Sequence, residues 1–244
     1  MAQAFGASTE LVYSTLQNLA NKDQQGFVNK AEFNRFAEIA QLNIFNSLFD
    51  ELKDSMRMSK AGFNPGRDKA RIKRIQEDLA FFSKKATITK SGDSFSKPSD
   101  LSRVIGLYTF GDILLDQSTK TPVEICYDEE KIERILLNNL SAPTEDFPVA
   151  LVAEDIQIFP TSISKIELRY YKQPEGRSTS TGARTTTMPS MGNLSASADF
   201  ELPSHYASDL VYEIGKMIGL NLRDQQIVAY TGQEMQTRKQ AETF

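Results

Sequence analysis

The spacing of apolar residues changes twice along this chain, and that double change limits the folds open to it. Phe33, Phe36, Ala37, Ala40, Ile44, Leu48, Leu52 and Met56 recur at helical intervals. A helix over residues 30–56 would span roughly 40 Å at about 1.5 Å per residue. Phe45 and Phe49 widen its apolar face beyond one stripe, which suits a helix buried on two sides or one that touches another subunit. From Ala86 the runs become β-branched or aromatic, at residues 87–89, 104–108, 123–127, 149–152, 156–159 and 163–171, the last with Ile166, Leu168 and Tyr170 alternating. After Pro203, helical spacing returns through Tyr206, Leu210, Ile214, Met217 and Ile218. The pattern predicts an α+β fold in which N- and C-terminal helical elements pack with a small, mostly antiparallel sheet region. The expected divisions are a helical region 1–85, a β-rich region 86–202 and a C-terminal helical region 203–244 packed with the first.

Local signals refine this. Leu11, Val12, Leu16 and Leu19 give a first short helix one apolar face. Asn29 is placed to cap the long helix, with Glu32 three residues on, as in a capping box. A further helix, after the breakers Gly62, Asn64, Pro65 and Gly66, carries Ile72, Ile75, Leu79 and Phe82 on one side. Asp128 caps a short helix among the strands, its buried side formed by Ile132, Ile135, Leu136 and Leu140. Gly219 is placed to end the helix after Pro203, and Asn221 to cap a last one holding Ile227, Val228 and Tyr230. Residues 175–199 are rich in Ser, Thr and Gly, including Thr185, Thr186 and Thr187, and read as an extended loop or arm that orders against a neighbour.

Composition narrows the chemistry. A net charge of -4 excludes a surface basic throughout and built to hold nucleic acid. The single cysteine, Cys126, rules out an internal disulfide and a multi-cysteine zinc site. Met1 to Ser8 lack the basic start and apolar run of a signal peptide, so a soluble, unsecreted protein is expected. Residues 21–32 lie between two helices with Gly26, Val28 and Glu32 at the sixth, eighth and twelfth places of an EF-hand-like loop, and Asp23 at the third. Asp23 and Glu32 are the candidate metal ligands, yet only these two bring negative charge. A helix-turn-helix with Gly26 in the turn explains the same residues. Cys126 and the only histidine, His205, are the candidates for nucleophilic catalysis; a buried thiol and a surface histidine near a cap explain them as well. No phosphate loop or dinucleotide fingerprint appears, and neither an enzyme nor a cofactor is expected. Arg67, Lys69, Arg71, Lys73 and Arg74, extended by Lys84, Lys85 and Lys90, form a basic cluster suited to an acidic partner or to phosphates. Arg71, Lys73, Arg74, Thr185, Thr186 and Thr187 are the candidate partner-binding residues.

Two sets of segments resemble virion structural proteins of tailed bacteriophages, of the kind found in crAss-like podoviruses. The first is Val12 to Leu16 with Ala31 to Ala37, Ala40 and Gln41; the second is Leu202 to Tyr206 with Gly219 to Asp224. The resemblance implies a subunit of a head–tail connector or tail ring through which double-stranded DNA passes without sequence-specific contact. Its partners would be copies of itself in a closed ring, twelvefold closure being one form, together with the portal and neighbouring tail or connector proteins, and no membrane. It would be made in the bacterial host cytoplasm and reside in the virion. The alternative is a calcium-responsive protein-binding module using residues 21–32.

Overall fold

The computed structural model describes residues 6–22, 28–61, 65–110, 120–138, 142–178, 184–185, 188–192 and 197–221. The chain has an α+β fold and divides into two compact units, Met1–Asp78 with Pro174–Phe244, and Leu79–Gln173. The first unit holds helices α1 (Thr9–Lys22) and α2 (Lys30–Ala61), and helix α3 (Pro65–Ala80) crosses into the second. The second unit carries strands β1 (Ser83–Thr89), β2 (Leu101–Phe110) and β3 (Lys120–Cys126), helix α4 (Glu129–Leu137), and strands β4 (Val149–Val152), β5 (Ile156–Phe159) and β6 (Lys165–Lys172). Strands β7 (Gly176–Ser178), β8 (Arg184–Thr185) and β9 (Ala198–Phe200), a 3-10 turn (Ser204–Tyr206) and helix α5 (Ala207–Asn221) return to the first unit.

In the first unit α5 packs on both α2 and α1, so the N- and C-terminal helices share one core. α2 buries Phe33, Ala37, Ala40, Ile44, Phe45, Leu48 and Phe49, as its spacing predicts, while Met56 near its far end is exposed. α1 is rotated from expectation. Val12, Tyr13, Leu16 and Ala20 are buried, whereas Leu11 is 58% and Leu19 42% exposed. Tyr13 explains the rotation: its ring meets Phe33 edge-on at 5.0 Å, and its hydroxyl donates to the Val28 carbonyl at 3.0 Å. Asn29 does cap α2, its Oδ1 accepting from the Ala31 N–H at 3.3 Å. α5 runs through Gly219 to Asn221, so Gly219 does not end it; the expected last helix lies outside the described residues.

The expected loop 175–199 contains β7, β8 and the start of β9, which form a three-stranded sheet in the order β8-β7-β9. Ala198 and Phe200 are buried anchors too short to show as a periodic run among Ser and Thr. The described parts hold to the chain's own first unit. Asp199 Oδ1 accepts from the Thr9 N–H at 2.9 Å, placing a carboxylate at the positive start of α1, and Thr9 Oγ1 donates to the Ala198 carbonyl at 2.7 Å. Asn34 Oδ1 accepts from the Met191 N–H at 2.8 Å. The unit boundaries at Asp78 and Gln173 therefore differ from the expected 85/86 and 202/203, because β7 to β9 belong with the helices and β1 begins at Ser83.

The second unit is a curled six-stranded sheet in the order β1-β6-β2-β3-β4-β5. All its pairs are antiparallel except β3 with β4, whose parallel crossover is α4. Asp128 caps α4 as predicted, accepting from the Glu130 N–H at 3.0 Å. Before β2, Phe95 exchanges two backbone hydrogen bonds with Ile156 of β5, at 2.8 and 3.0 Å, and so ties the curl together. The inner face buries Leu107, Val123, Ile166, Leu168 and Tyr170 around Phe95. A smaller core of Cys126, Ile132, Val149 and Leu151 lies under α4 on the other face of β3 and β4. Gly92, at φ +66°, makes the tight turn between Ser91 and Ser94 that leads to Phe95.

Candidate functional site

The residues singled out in the sequence do not gather into one site. Asp23 lies outside the described residues, and Glu32 is exposed in the first turn of α2. Among the described residues no group of three or more His, Cys, Asp or Glu side chains is placed to hold a metal. Cys126 is buried in the apolar core under α4, in the second unit. His205 belongs to the first, where its Nε2 lies 3.4 Å from Asp78 Oδ2. The same Asp78 oxygen accepts from the Tyr206 hydroxyl at 2.7 Å, and burial followed by this bond pushes the Tyr206 phenol well above its ordinary value. His205 therefore has a local structural partner that links the 3-10 turn to α3.

The basic cluster is also divided. Arg71 gives Nε and Nη2 to Glu51 Oε1 of α2 at 2.9 and 2.6 Å, Lys73 pairs with Glu77 at 3.7 Å on an exposed helix face, and Arg74 is exposed. Lys84, Lys85 and Lys90 fall in the second unit, where Lys84 pairs with Asp100 at 2.6 Å and Lys90 donates to the Thr161 carbonyl at 2.9 Å. Arg67 has no described side chain. Thr185 lies in β8; Thr186 and Thr187 lie outside the described residues.

The most organised polar surface is one of which the sequence reading singled out Lys85 alone, and that as part of the basic cluster. Because side chains alternate along a strand, burial of Ile166, Leu168 and Tyr170 turns Lys165, Glu167 and Arg169 of β6 to the outer face. Register sets Thr87 and Tyr108 beside Glu167, Lys85 beside Arg169, and Lys120 beside Phe110. Arg169 Nε donates to Glu167 Oε1 at 2.9 Å, and Lys120 Nζ donates to Oε2 of the same carboxylate. The Arg169 guanidinium lies 4.2 Å from the centre of the Tyr108 ring, and the ammoniums of Lys120 and Lys165 each lie 5.5 Å from that of Phe110. Gly106, opposite Arg169, leaves room for the Tyr108 ring, which passes 3.4 Å from where a β-carbon would stand. The alternation was a legible signal; the pairing of β6 with β2, and of β2 with β3, was not.

Lys120 first and Arg169 second hold the Glu167 carboxyl below the usual carboxylate range. A carboxyl with a lowered folded pKa contributes stability that is complete above its unfolded value and is lost as pH falls through the folded one. The second unit is therefore expected to lose stability on acidification below the ordinary carboxylate range, and Glu167→Gln to flatten that part of the profile. Urea unfolding at stepped pH, followed by hydrogen exchange in β2 and β6, measures the difference; parallel profiles for the two proteins would contradict it.

Among the described residues no helix is long and apolar enough to cross a membrane. No protein-family model matches the chain, and no curated protein matches it significantly in sequence.

Proposed function

We propose that this chain is a non-enzymatic structural subunit of a phage virion, a member of a ring in the portal-proximal head–tail connector or tail through which double-stranded DNA passes. The observation that carries the reading is exposed apolar surface on both units. Leu137 is 85%, Phe147 79% and Tyr127 69% exposed on the second unit, and Leu11 and Leu19 lie open on α1 in the first. Large side chains left in water favour association, because burying each stabilises a complex by about 1.5–3 kcal/mol. Contacts between identical copies that are not self-complementary close into rings when the rotation permits. Among the segments that carry the resemblance to virion proteins, the buried stripe of α2 and the turn from Leu202 to Tyr206 belong to the framework of the first unit.

Native mass spectrometry of the full chain over a range of concentrations, with chelator and with calcium, tests this. A closed oligomer indifferent to calcium is the expected species. A monomer at every concentration, which also fails to join an assembled portal, would overturn the reading.

A further inference from the structure

The outer face of β1, β6, β2 and β3 concentrates positive charge in a chain whose net charge is negative. Lys85, Lys120, Lys165 and Arg169 share it with two carboxylates: Glu167, which Lys120 and Arg169 grip from two sides, and Glu124 of β3, which Lys131 of α4 pairs at 3.1 Å. Strands lie about 4.8 Å apart and rise about 3.3 Å per residue, so Lys165 and Arg169 stand roughly 13 Å apart along β6. Lys85 flanks Arg169 on β1, while Lys120 lies two strands from Lys165 on the other side. The cations are thus spread over a sheet surface and do not converge on a pocket.

We propose that this face holds the phosphate backbone of duplex DNA. A duplex carries one charge per about 1.7 Å of its axis, so a patch of this width meets several phosphates at once. The rings decide between a duplex and a single strand. Single-strand binders offer bare aromatic faces on which bases stack. Here the face of Tyr108 is covered by Arg169, and Phe110 is approached by two ammoniums, so the surface presents cations where a stacking platform would present rings. Glu167 takes the N–H on Arg169 Nε and holds the guanidinium in place; a guanidinium has five N–H donors, and those on the Nη atoms suit a phosphate. Contacts of this kind carry no sequence information. The inference stands on the sheet face and not on the ring reading, since DNA binding is measured whatever the oligomeric state.

The test is fluorescence anisotropy of the full chain with a labelled duplex of mixed sequence, at several salt concentrations, against the double variant Lys85→Glu, Lys165→Glu. Both lysines are exposed and neither bonds Glu167, so the fold is retained, which circular dichroism checks. The wild type is expected to bind with an affinity that falls steeply with salt. The variant should bind at least tenfold more weakly, with a salt slope smaller by about two, near 0.9 per lost phosphate contact. A second variant on α3, Lys69→Glu with Lys73→Glu, is expected to bind as the wild type does. No binding by the wild type at low salt, or an unchanged affinity in the Lys85, Lys165 variant, would overturn the proposal. Tighter binding of the matching single strand would overturn the choice of duplex, and equal competition by polyglutamate would assign the face to an acidic protein.

Discussion

Replacing Gln41 by leucine is expected to destabilise the first unit by about 2–4 kcal/mol, although leucine fills nearly the same volume. Gln41 is only 1% exposed in the apolar stripe of α2. Its Oε1 accepts from the Glu201 N–H at 2.9 Å, and its Nε2 donates to the Glu175 carbonyl at 3.1 Å. Glu201 Oε2 in turn accepts from the Glu175 N–H at 2.9 Å. One amide thus binds the backbone at both ends of the segment that contains β7, β8 and β9. Leucine would leave a buried N–H and a buried carbonyl without the partners Gln41 supplies. Gln41→Glu sharpens the test, because a carboxylate can still accept from Glu201 but cannot donate to Glu175, and it brings negative charge beside the Glu201 carboxylate. At neutral pH it is expected to be at least as damaging as leucine. Urea unfolding gives the magnitude, and faster hydrogen exchange at 175–178 and 198–202 gives the location. Wild-type exchange there in both variants would show that the segment is held by other contacts.

Tyr170→Ala is expected to cost about 3–5 kcal/mol in the second unit, and Tyr170→Phe about 1–2 kcal/mol. The ring is fully buried among the inner-face residues of the curled sheet, so alanine leaves a cavity between β1, β2 and β6. The hydroxyl donates to Asp100 Oδ1 at 2.8 Å, while Lys84 holds Oδ2 at 2.6 Å. Burial, followed by the Asp100 bond, raises the Tyr170 phenol above its ordinary value. Burial acts upward on Asp100 as well, but the bonds from Lys84 and Tyr170 outweigh it and leave that carboxyl low. Phenylalanine keeps the packing and removes one of the two donors, so the gap between the two variants separates the ring's contribution from the hydroxyl's. Chemical denaturation of both, with a titration of Asp100 in Tyr170→Phe, checks this; equal losses would mean that the ring's packing adds little.

Elements governed by near neighbours in the chain were legible before any coordinates. The long stripe of α2, the Asp128 cap of α4 and the alternation of β6 depend on spacings of two to four residues, and the folded chain keeps them. Legibility failed where one distant contact outweighed a local pattern. Leu11 and Leu19 resemble core residues in α1, but Tyr13 turns that helix toward Phe33 and leaves them in water. Strands β7 to β9 are too short to be periodic and are secured by Gln41, Asn34 and Thr9 from more than 150 residues away, apart from the Gln41 bond to Glu175. The outer sheet face follows the same rule. Alternation alone set Lys165, Glu167 and Arg169 on one side of β6, whereas bringing Lys120 to Glu167 required strands 47 residues apart to fold into one sheet. The sequence by itself determined the described helices and the six strands of the larger sheet, and much of which side of each is apolar, because those depend on local spacing. Only the tertiary structure decided the parallel pairing of β3 with β4, the second small sheet and the cluster of cations, because hydrogen-bonded register between distant strands leaves no period in the chain.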